Sequence, residues 1–241
     1  MSDGAVAGKL KRKLQWLART PLHPQWLLAG QELGDQLRQC HGTILDIGAA
    51  SRWLASCLAD DARYIALDYP TTAVGMYGCR PDVFADAHHL PFADGCIDAV
   101  ACFEVLEHTT DPELVLAEIA RVLKPGGFAE LSKPFLYPVH DAPYDFQRWT
   151  VHGWERSARR IGLEVERLQP TNSALRASAV LACLALAGPA AGSKGFRRIV
   201  LLGFLGPLVL AINLAAAVLD RFWPGWPALT TSYRVTLRKP R

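Results

Sequence analysis

The sequence is short of several things that would fix its class quickly. Its six cysteines, Cys40, Cys57, Cys79, Cys96, Cys102 and Cys183, form no C-x-x-C pair, which removes zinc ribbons and thioredoxin-like redox motifs. Several lie inside apolar runs, where cysteine behaves as a small hydrophobe, so the pattern predicts reduced thiols and a cytosolic compartment. No G-x-G-x-x-G is present, which removes the dinucleotide-dehydrogenase fingerprint. The basic N-terminus lacks an apolar run long enough for a secretory signal, so export is not expected. The net charge is only +3, and no basic-aromatic surface stands out beyond the N-terminus, so no nucleic-acid partner is expected.

Charge is also missing locally. Lys9, Lys11, Arg12, Lys13 and Arg19 crowd a segment with no acid, while Leu10, Leu14 and Leu17 fall on one helical face. Residues 1–22 therefore read as a basic amphipathic helix, either a solvated cover or a membrane-surface contact. Two stretches, 177–192 and 199–219, carry no charge at all. The chain is half hydrophobic over 241 residues, enough for one sizeable domain with an insertion.

What is there centres on TILDIGAASRWL, residues 43–54. A buried strand (Ile44, Leu45, Ile47) carries Asp46 and passes through Gly48, Ala49 and Ala50 into a helix expected from Ser51. A strand that turns through small residues into a helix exposes backbone N–H groups at its carboxyl end, where a polar part of a ligand can sit. Upstream, Pro24 is expected to begin a helix running to about Cys40. Downstream, a second strand, 63–67, closes on Asp68, 20 residues after Gly48, the spacing at which a doubly wound fold sets a carboxylate on ribose hydroxyls.

A third strand, 83–85, ends at Asp86, and a fourth, 96–103, runs into Glu104-Val105-Leu106-Glu107-His108. Asp111 and Pro112 cap a helix that stops at Lys124-Pro125-Gly126-Gly127, and a fifth strand covers 128–132. Thr150 caps a helix over 151–161; strands at 163–168 and 232–237 follow. Strands alternating with helices indicate a parallel sheet covered on both faces.

In this order, the motifs LDIGAAS, YIALDYP, FADAHHLPFADGCIDAV, FEVLEH and EIARVLKPGG resemble the class I S-adenosylmethionine-dependent methyltransferases, type 11-like, over roughly residues 25–170 and again in the final strand. The resemblance implies an α/β, Rossmann-like, seven-stranded and mostly parallel sheet with helices on both faces and the last strand antiparallel. It implies S-adenosyl-L-methionine as cofactor, with Asp46, Gly48, Ala49 and Ala50 at its amino-acid end. Asp68 with Tyr69 would take the ribose, Asp86 with Ala87 the adenine, and Glu104 would line the cavity. Ala50 and Arg52 stand where the family carries further glycines, which predicts a turn of different shape and leaves open an inactive, membrane-tethered binding protein on the same fold.

The loop PFLYPVHDAPYDFQRW leaves the fifth strand and lies over the ligand end of such a sheet. It offers Tyr137, Asp145 and Arg148, with His108, as acceptor contacts, and His140 as a general base. An Asp145–Arg148 pair that staples the loop is the plainer use of the same residues. The main reading assigns no metal. Its alternative is a divalent-metal-assisted O-methyltransferase using Glu104, Glu107 and His108, since E-x-x-E-H resembles the metal set of small-RNA 2′-O-methyltransferases and some quinone-pathway O-methyltransferases.

Residues 173–226 form an apolar helical insertion in a domain otherwise made of 1–172 and 227–241. The stretch 199–219 is long enough, roughly 31 Å as helix, to cross a bilayer. A two-span hairpin would carry Lys194, Arg197 and Arg198 across, against the positive-inside rule. Pro189, Gly203, Gly206 and Pro207 are expected to break the runs. The reading is an interfacial or re-entrant helix pair at the cytoplasmic face, with a lid or a dimer interface as alternatives, and an acceptor that is apolar or lipid-linked.

Overall fold

A computed structural model describes residues 19–28, 33–49, 51–77 and 80–241. The basic stretch over residues 1–18 and the cofactor candidate Ala50 lie outside the described residues. The chain divides into two compact units, one of Glu32–Gln169 with Ser232–Arg241, the other of Pro170–Thr231 with the described residues of Met1–Gln31.

The first unit is built on a seven-stranded sheet in the order β3-β2-β1-β4-β5-β7-β6. Its strands are β1 (Thr43–Ile47), β2 (Arg63–Asp68), β3 (Val83–Phe84), β4 (Ile97–Phe103), β5 (Leu123–Pro134), β6 (Glu164–Pro170) and β7 (Ser232–Arg238). Strands β1, β2, β3, β4 and β5 pair in parallel. β7 runs antiparallel to β5, from Phe128 opposite Arg238 to Pro134 opposite Ser232. The expected fold class is the observed one.

Alternation along the strands feeds two cores, as a sheet covered on both faces requires. Leu45, Ile47, Val100, Cys102, Leu131 and Val235 face one layer, with Trp154 fully buried among them. Ile44, Ala99 and Ala101 face the other, with Leu37 and Leu54. Helix α1 (Pro112–Val122) buries Val115, Leu116, Ile119 and Val122, and Asp111 caps it by accepting from the Leu114 N–H at 3.0 Å. Thr150 caps α2 (Val151–Arg160) in the same way through the Gly153 N–H.

Three expected elements differ. The helix expected from Pro24 to Cys40 is, among described residues, a 3-10 turn at Trp26–Leu28 and one α-turn at Asp35–Arg38. Gly34 is extended there because its N–H donates to the buried Glu130 carboxylate at 3.0 Å, and a Cβ at Gly34 would fall 2.4 Å from that group. The helix expected from Ser51 is a 3-10 turn, Trp53–Cys57. β5 begins at Leu123, which pairs with Ile97 before the register shifts, so Lys124-Pro125-Gly126-Gly127 is an irregularity inside the strand.

The second unit is a helical pair, α3 (Ala174–Ala191) and α4 (Gly195–Leu219). Ser173 caps α3 by accepting from the Arg176 N–H, and its own hydroxyl donates to Asp220, which also receives Arg176 Nε at 2.7 Å. Ala179, Val180 and Ala216 pack with Leu27 as a small core. Pro189 and Pro207 lie inside the helices, contrary to the expected breaks. Proline's fixed φ is helical, so its costs are one backbone hydrogen bond and crowding of the carbonyl one turn earlier, which long apolar helices in mutual contact sustain. Asn213 is fully buried in α4, and its Nδ2 donates to the carbonyls of Pro21 at 2.7 Å and His23 at 3.0 Å.

Among described helices, α4 alone is long and apolar enough to cross a membrane, with a mean hydropathy of 2.4 in a window only 17% buried. Phe196 is 81% exposed and Phe204 78%, and Phe222, Trp223 and Trp226 are exposed just beyond the helix.

Candidate active site

At the carboxyl end of β1, Asp46 is 4% exposed and its Oδ2 accepts from the Tyr64 hydroxyl at 2.6 Å. Burial pushes its pKa up to about 6, against that hydrogen bond and with help from the Asp68 charge. The turn that follows is held by the Gly48 and Ala49 N–H groups, which donate to the Leu67 carbonyl of β2 at 2.9 and 3.1 Å. Gly48 has φ +73°, and a Cβ there would lie 2.3 Å from Val105 Cγ2, so glycine is required twice over.

Arg52 explains how the turn closes without the family's glycine. It takes φ 57°, the left-handed conformation a glycine would supply. Its guanidinium forms a two-pronged pair with Asp82 at 2.9 and 3.0 Å and lies over the Tyr64 ring at 5.4 Å. Asp82 also accepts from the Ala66 N–H at 2.8 Å, so the turn is tied to β2.

Asp68 ends β2, 5% exposed, with Oδ1 accepting from the Tyr69 N–H at 2.7 Å; Tyr69 itself is half exposed. Asp86, beyond β3, accepts from the His88 N–H at 2.9 Å and lies 2.6 Å from His88 Nδ1. Burial works against its charge, but the two His88 contacts hold its carboxyl below the usual range. His88 Nε2 in turn accepts from the Asp111 N–H at 3.3 Å, which fixes the ring proton on Nδ1. Ala87 is half-buried beside it. Three carboxylates thus stand at the ends of adjacent strands as acceptors, matching a ligand that presents an ammonium, a diol and an aromatic amine. The donor set of S-adenosylmethionine fits them.

Beyond β4 the character changes. Glu104 has φ 54°, and its Oε1 accepts from the hydroxyls of Ser132 at 2.6 Å and Ser232 at 3.0 Å. Three residues on, Glu107 is fully buried and neither carboxylate oxygen has a hydrogen-bond partner among the described residues. Burial, with the Glu104 charge adding, holds its carboxyl well above the usual range. Lys133, 1% exposed, has no hydrogen-bond partner for Nζ among the described residues, and Nζ lies 4.1 Å over the Trp149 ring; burial pushes its pKa down to about 8.

The loop after β5 closes on this point. Asp145 pairs with Arg148 through both oxygens, one contact at 2.7 Å, and accepts from the His140 N–H at 3.0 Å. The Arg148 guanidinium holds the Asp145 carboxyl well below the usual range. His140 sits edge-on to Tyr137 at 5.4 Å and to His108 at 5.1 Å between ring centroids. His108 Nε2 is 3.6 Å and His140 Nε2 3.9 Å from Glu107 Oε1. Glu104 is not in this group, so the carboxylate-imidazole cluster differs from the Glu104, Glu107 and His108 set read from the motif. The sequence marked neither His88, Ser132, Ser232 nor the burial of Glu107, since nothing local says which carboxylate of E-x-x-E faces inward.

Residues 45–131 match the family described as "Methyltransferase domain". A probable S-adenosylmethionine-dependent methyltransferase of Mycolicibacterium smegmatis is 36% identical over 104 residues, 40% of this chain and 40% of that protein. A ubiquinone biosynthesis O-methyltransferase of Marinobacter nauticus is 30% identical over 152 residues, 56% of this chain and 59% of that one. The chain thus spans about two-fifths to three-fifths of the length of these relatives. In fold it is similar to a putative sarcosine dimethylglycine methyltransferase from Galdieria sulphuraria, with a TM-score of 0.53 at 17% identity, covering 90% of this chain and 85% of that one.

Proposed function

We propose, from the premise that this chain belongs to the class I S-adenosylmethionine-dependent methyltransferases, that it moves a methyl group to a hydrophobic or lipid-linked small molecule at the cytoplasmic face of a membrane. The observation that carries the first half is the series of strand-end carboxylates. Asp46 with Gly48 and Ala49 would hold the amino-acid end of the cofactor, Asp68 beside Tyr69 the ribose, Asp86 beside Ala87 the adenine, and Glu104 would line the cavity. When bound, the cofactor supplies a methyl carbon activated by an adjacent positive sulfur. What the protein adds is alignment: the acceptor atom must be presented in line and away from water. The loop stapled by Asp145 and Arg148 does this, with Tyr137 and His108 on the acceptor and His140 in reach of its proton. Arg52, in the backbone conformation of the glycine it replaces, supports an active turn over an inactive binding protein.

The second half rests on α4. Its outward Phe196, Ile199, Val200, Leu202 and Phe204 would be costly in water, and the basic residues before it with the tryptophans after it suit an interface. The buried Asn213, bonded to Pro21 and His23 carbonyls, favours a helix lying on the surface within its own unit over one that stands alone in lipid. A relative named for ubiquinone biosynthesis is in keeping with an apolar acceptor.

Calorimetric titration of the full chain with S-adenosylhomocysteine tests the cofactor; an absence of binding heat defeats the reading. Flotation with lipid vesicles tests the membrane: Phe196→Ser with Phe204→Ser is expected to leave most of the full-length protein at the bottom of the gradient. Equal flotation of this variant and the parent counts against an interfacial α4.

A further inference from the structure

Glu107 poses a problem that the methyl-transfer reading leaves unused. It is fully buried with no hydrogen-bond partner among the described residues, and although the Lys133 and Arg148 charges act on it, neither supplies the close contact that a buried carboxyl needs. Two imidazoles approach the same oxygen without bonding it, at 3.6 and 3.9 Å. Their protons are committed elsewhere. His108 Nδ1 lies 2.9 Å from the Tyr144 carbonyl, which can only accept, so the neutral ring has its proton on Nδ1 and its lone pair on Nε2, which faces Glu107 and, at 4.0 Å, Asp141. His140 Nδ1 lies 3.1 Å from Asp145 Oδ2 and 3.3 Å from the Pro138 carbonyl, two acceptors again, which leaves its Nε2 a lone pair as well.

Two imidazole Nε2 atoms and one Glu107 carboxyl oxygen therefore converge on a common point, where a bound cation would displace any proton the buried carboxyl holds. All three donor atoms lie within 4.8 Å of one another. Bonds of ~2.0–2.2 Å to a first-row cation would space such donors roughly 3–3.5 Å apart, a little closer than observed. An Nδ1–H fixed on a carbonyl or carboxylate is also the usual support of a metal-bound imidazole.

We infer that Glu107, His108 and His140 form a binding site for one first-row divalent cation, of the manganese-to-zinc class. Two neutral imidazoles and one carboxylate suit these ions better than magnesium or calcium, which prefer oxygen throughout. Three protein ligands leave at least one coordination position open, and the histidines, 26% and 28% exposed, form the solvent side of the site.

The role of the cation, unlike its binding, rests on the methyltransferase reading. In the open position it would hold an acceptor hydroxyl oxygen and ease loss of that proton to solvent, so the acceptor class becomes a hydroxyl-bearing apolar compound. His140 then acts as a ligand, its Nε2 lone pair being used, and the proton needs no protein base. Glu104, occupied by Ser132 and Ser232, is outside the ligand set.

The test uses the untagged full-length chain, stripped with chelator, and titrated separately with Zn2+ by calorimetry and with Co2+ by visible absorption. One equivalent is expected in the parent. Glu107→Gln and His140→Ala are each expected to weaken binding at least 10-fold and to abolish the Co2+ bands, while Glu104→Gln keeps one equivalent. Should Glu107→Gln fail to fold, His108→Ala, at a partly exposed position, makes the same demand. No saturable binding by the parent, or unchanged binding by the folded ligand variants, overturns the site. S-adenosylhomocysteine titration of the stripped parent separates the two ideas: cofactor binding without cation binding sinks the metal site alone, and the reverse sinks the methyltransferase reading alone.

Discussion

The two halves of the site treat their carboxylates in opposite ways. On the side proposed for the cofactor, Asp46, Asp68 and Asp86 each accept from a protein group, Tyr64, the Tyr69 N–H and His88, so each carboxyl is oriented in advance of any ligand. On the side proposed for the acceptor, Glu107 is more deeply buried than any of them and has no hydrogen-bond partner among the described residues. The difference separates two binding strategies. An oriented, partnered carboxylate adds selectivity for neutral or singly charged donors, whereas a desolvated, unpartnered one gains most from a compact cation.

Asp68→Ala should break the cofactor side outright. Losing charge-assisted hydrogen bonds to a diol is expected to weaken S-adenosylhomocysteine binding roughly 100-fold by calorimetry, and a change under threefold would mean Asp68 is structural. Asp46→Asn probes the same side through pH. Asp46 ionises near 3.8 when unfolded and at about 6 in the fold, so the folded state holds the proton more tightly. Stability is therefore expected to fall as pH rises from about 4 to 6 and to stay reduced above that. The asparagine variant should flatten this slope and be more stable at pH 7 by up to about 3 kcal/mol, while binding cofactor poorly. Denaturant midpoints across pH 4–8 check it, and parallel curves for variant and parent would refute it.

On the acceptor side, Glu107→Met removes an unpartnered buried carboxyl at similar volume. The cation-free protein is expected to gain about 1–2 kcal/mol, or roughly 2–8 °C in Tm by calorimetric scan, while losing acceptor turnover. A lower Tm would mean that Glu107 is already compensated. The smallest effect is expected from Arg52→Gly: relief of the left-handed conformation and loss of a partly exposed ion pair oppose each other, leaving less than about 1 kcal/mol. Cofactor affinity should be retained within a few-fold, and a large loss would assign Arg52 to the ligand.

Much of the fold was legible because its signals are local. Ile44, Leu45 and Ile47 announce a buried strand, and Asp111 and Thr150 announce helix starts, from their immediate neighbours alone. The parts that were not legible depend on partners far along the chain. Gly34 is extended because of Glu130, Arg52 closes its turn because of Asp82, and the cluster at Glu107 needs His140 from another loop. Pro189 and Pro207 misled for a related reason: a proline's local cost is outweighed by packing along a long helix pair, which the sequence does not display.

Asn213 has a consequence for the order of assembly. Its amide clasps carbonyls about 190 residues earlier, at Pro21 and His23. The segment near residue 20 therefore cannot reach its final partners on the ribosome until α4 has been synthesised. So long a loop closure is slow and leaves apolar helices uncovered while it is pending. Assembly of this unit should therefore be a step that depends on chaperones or on an early encounter with lipid.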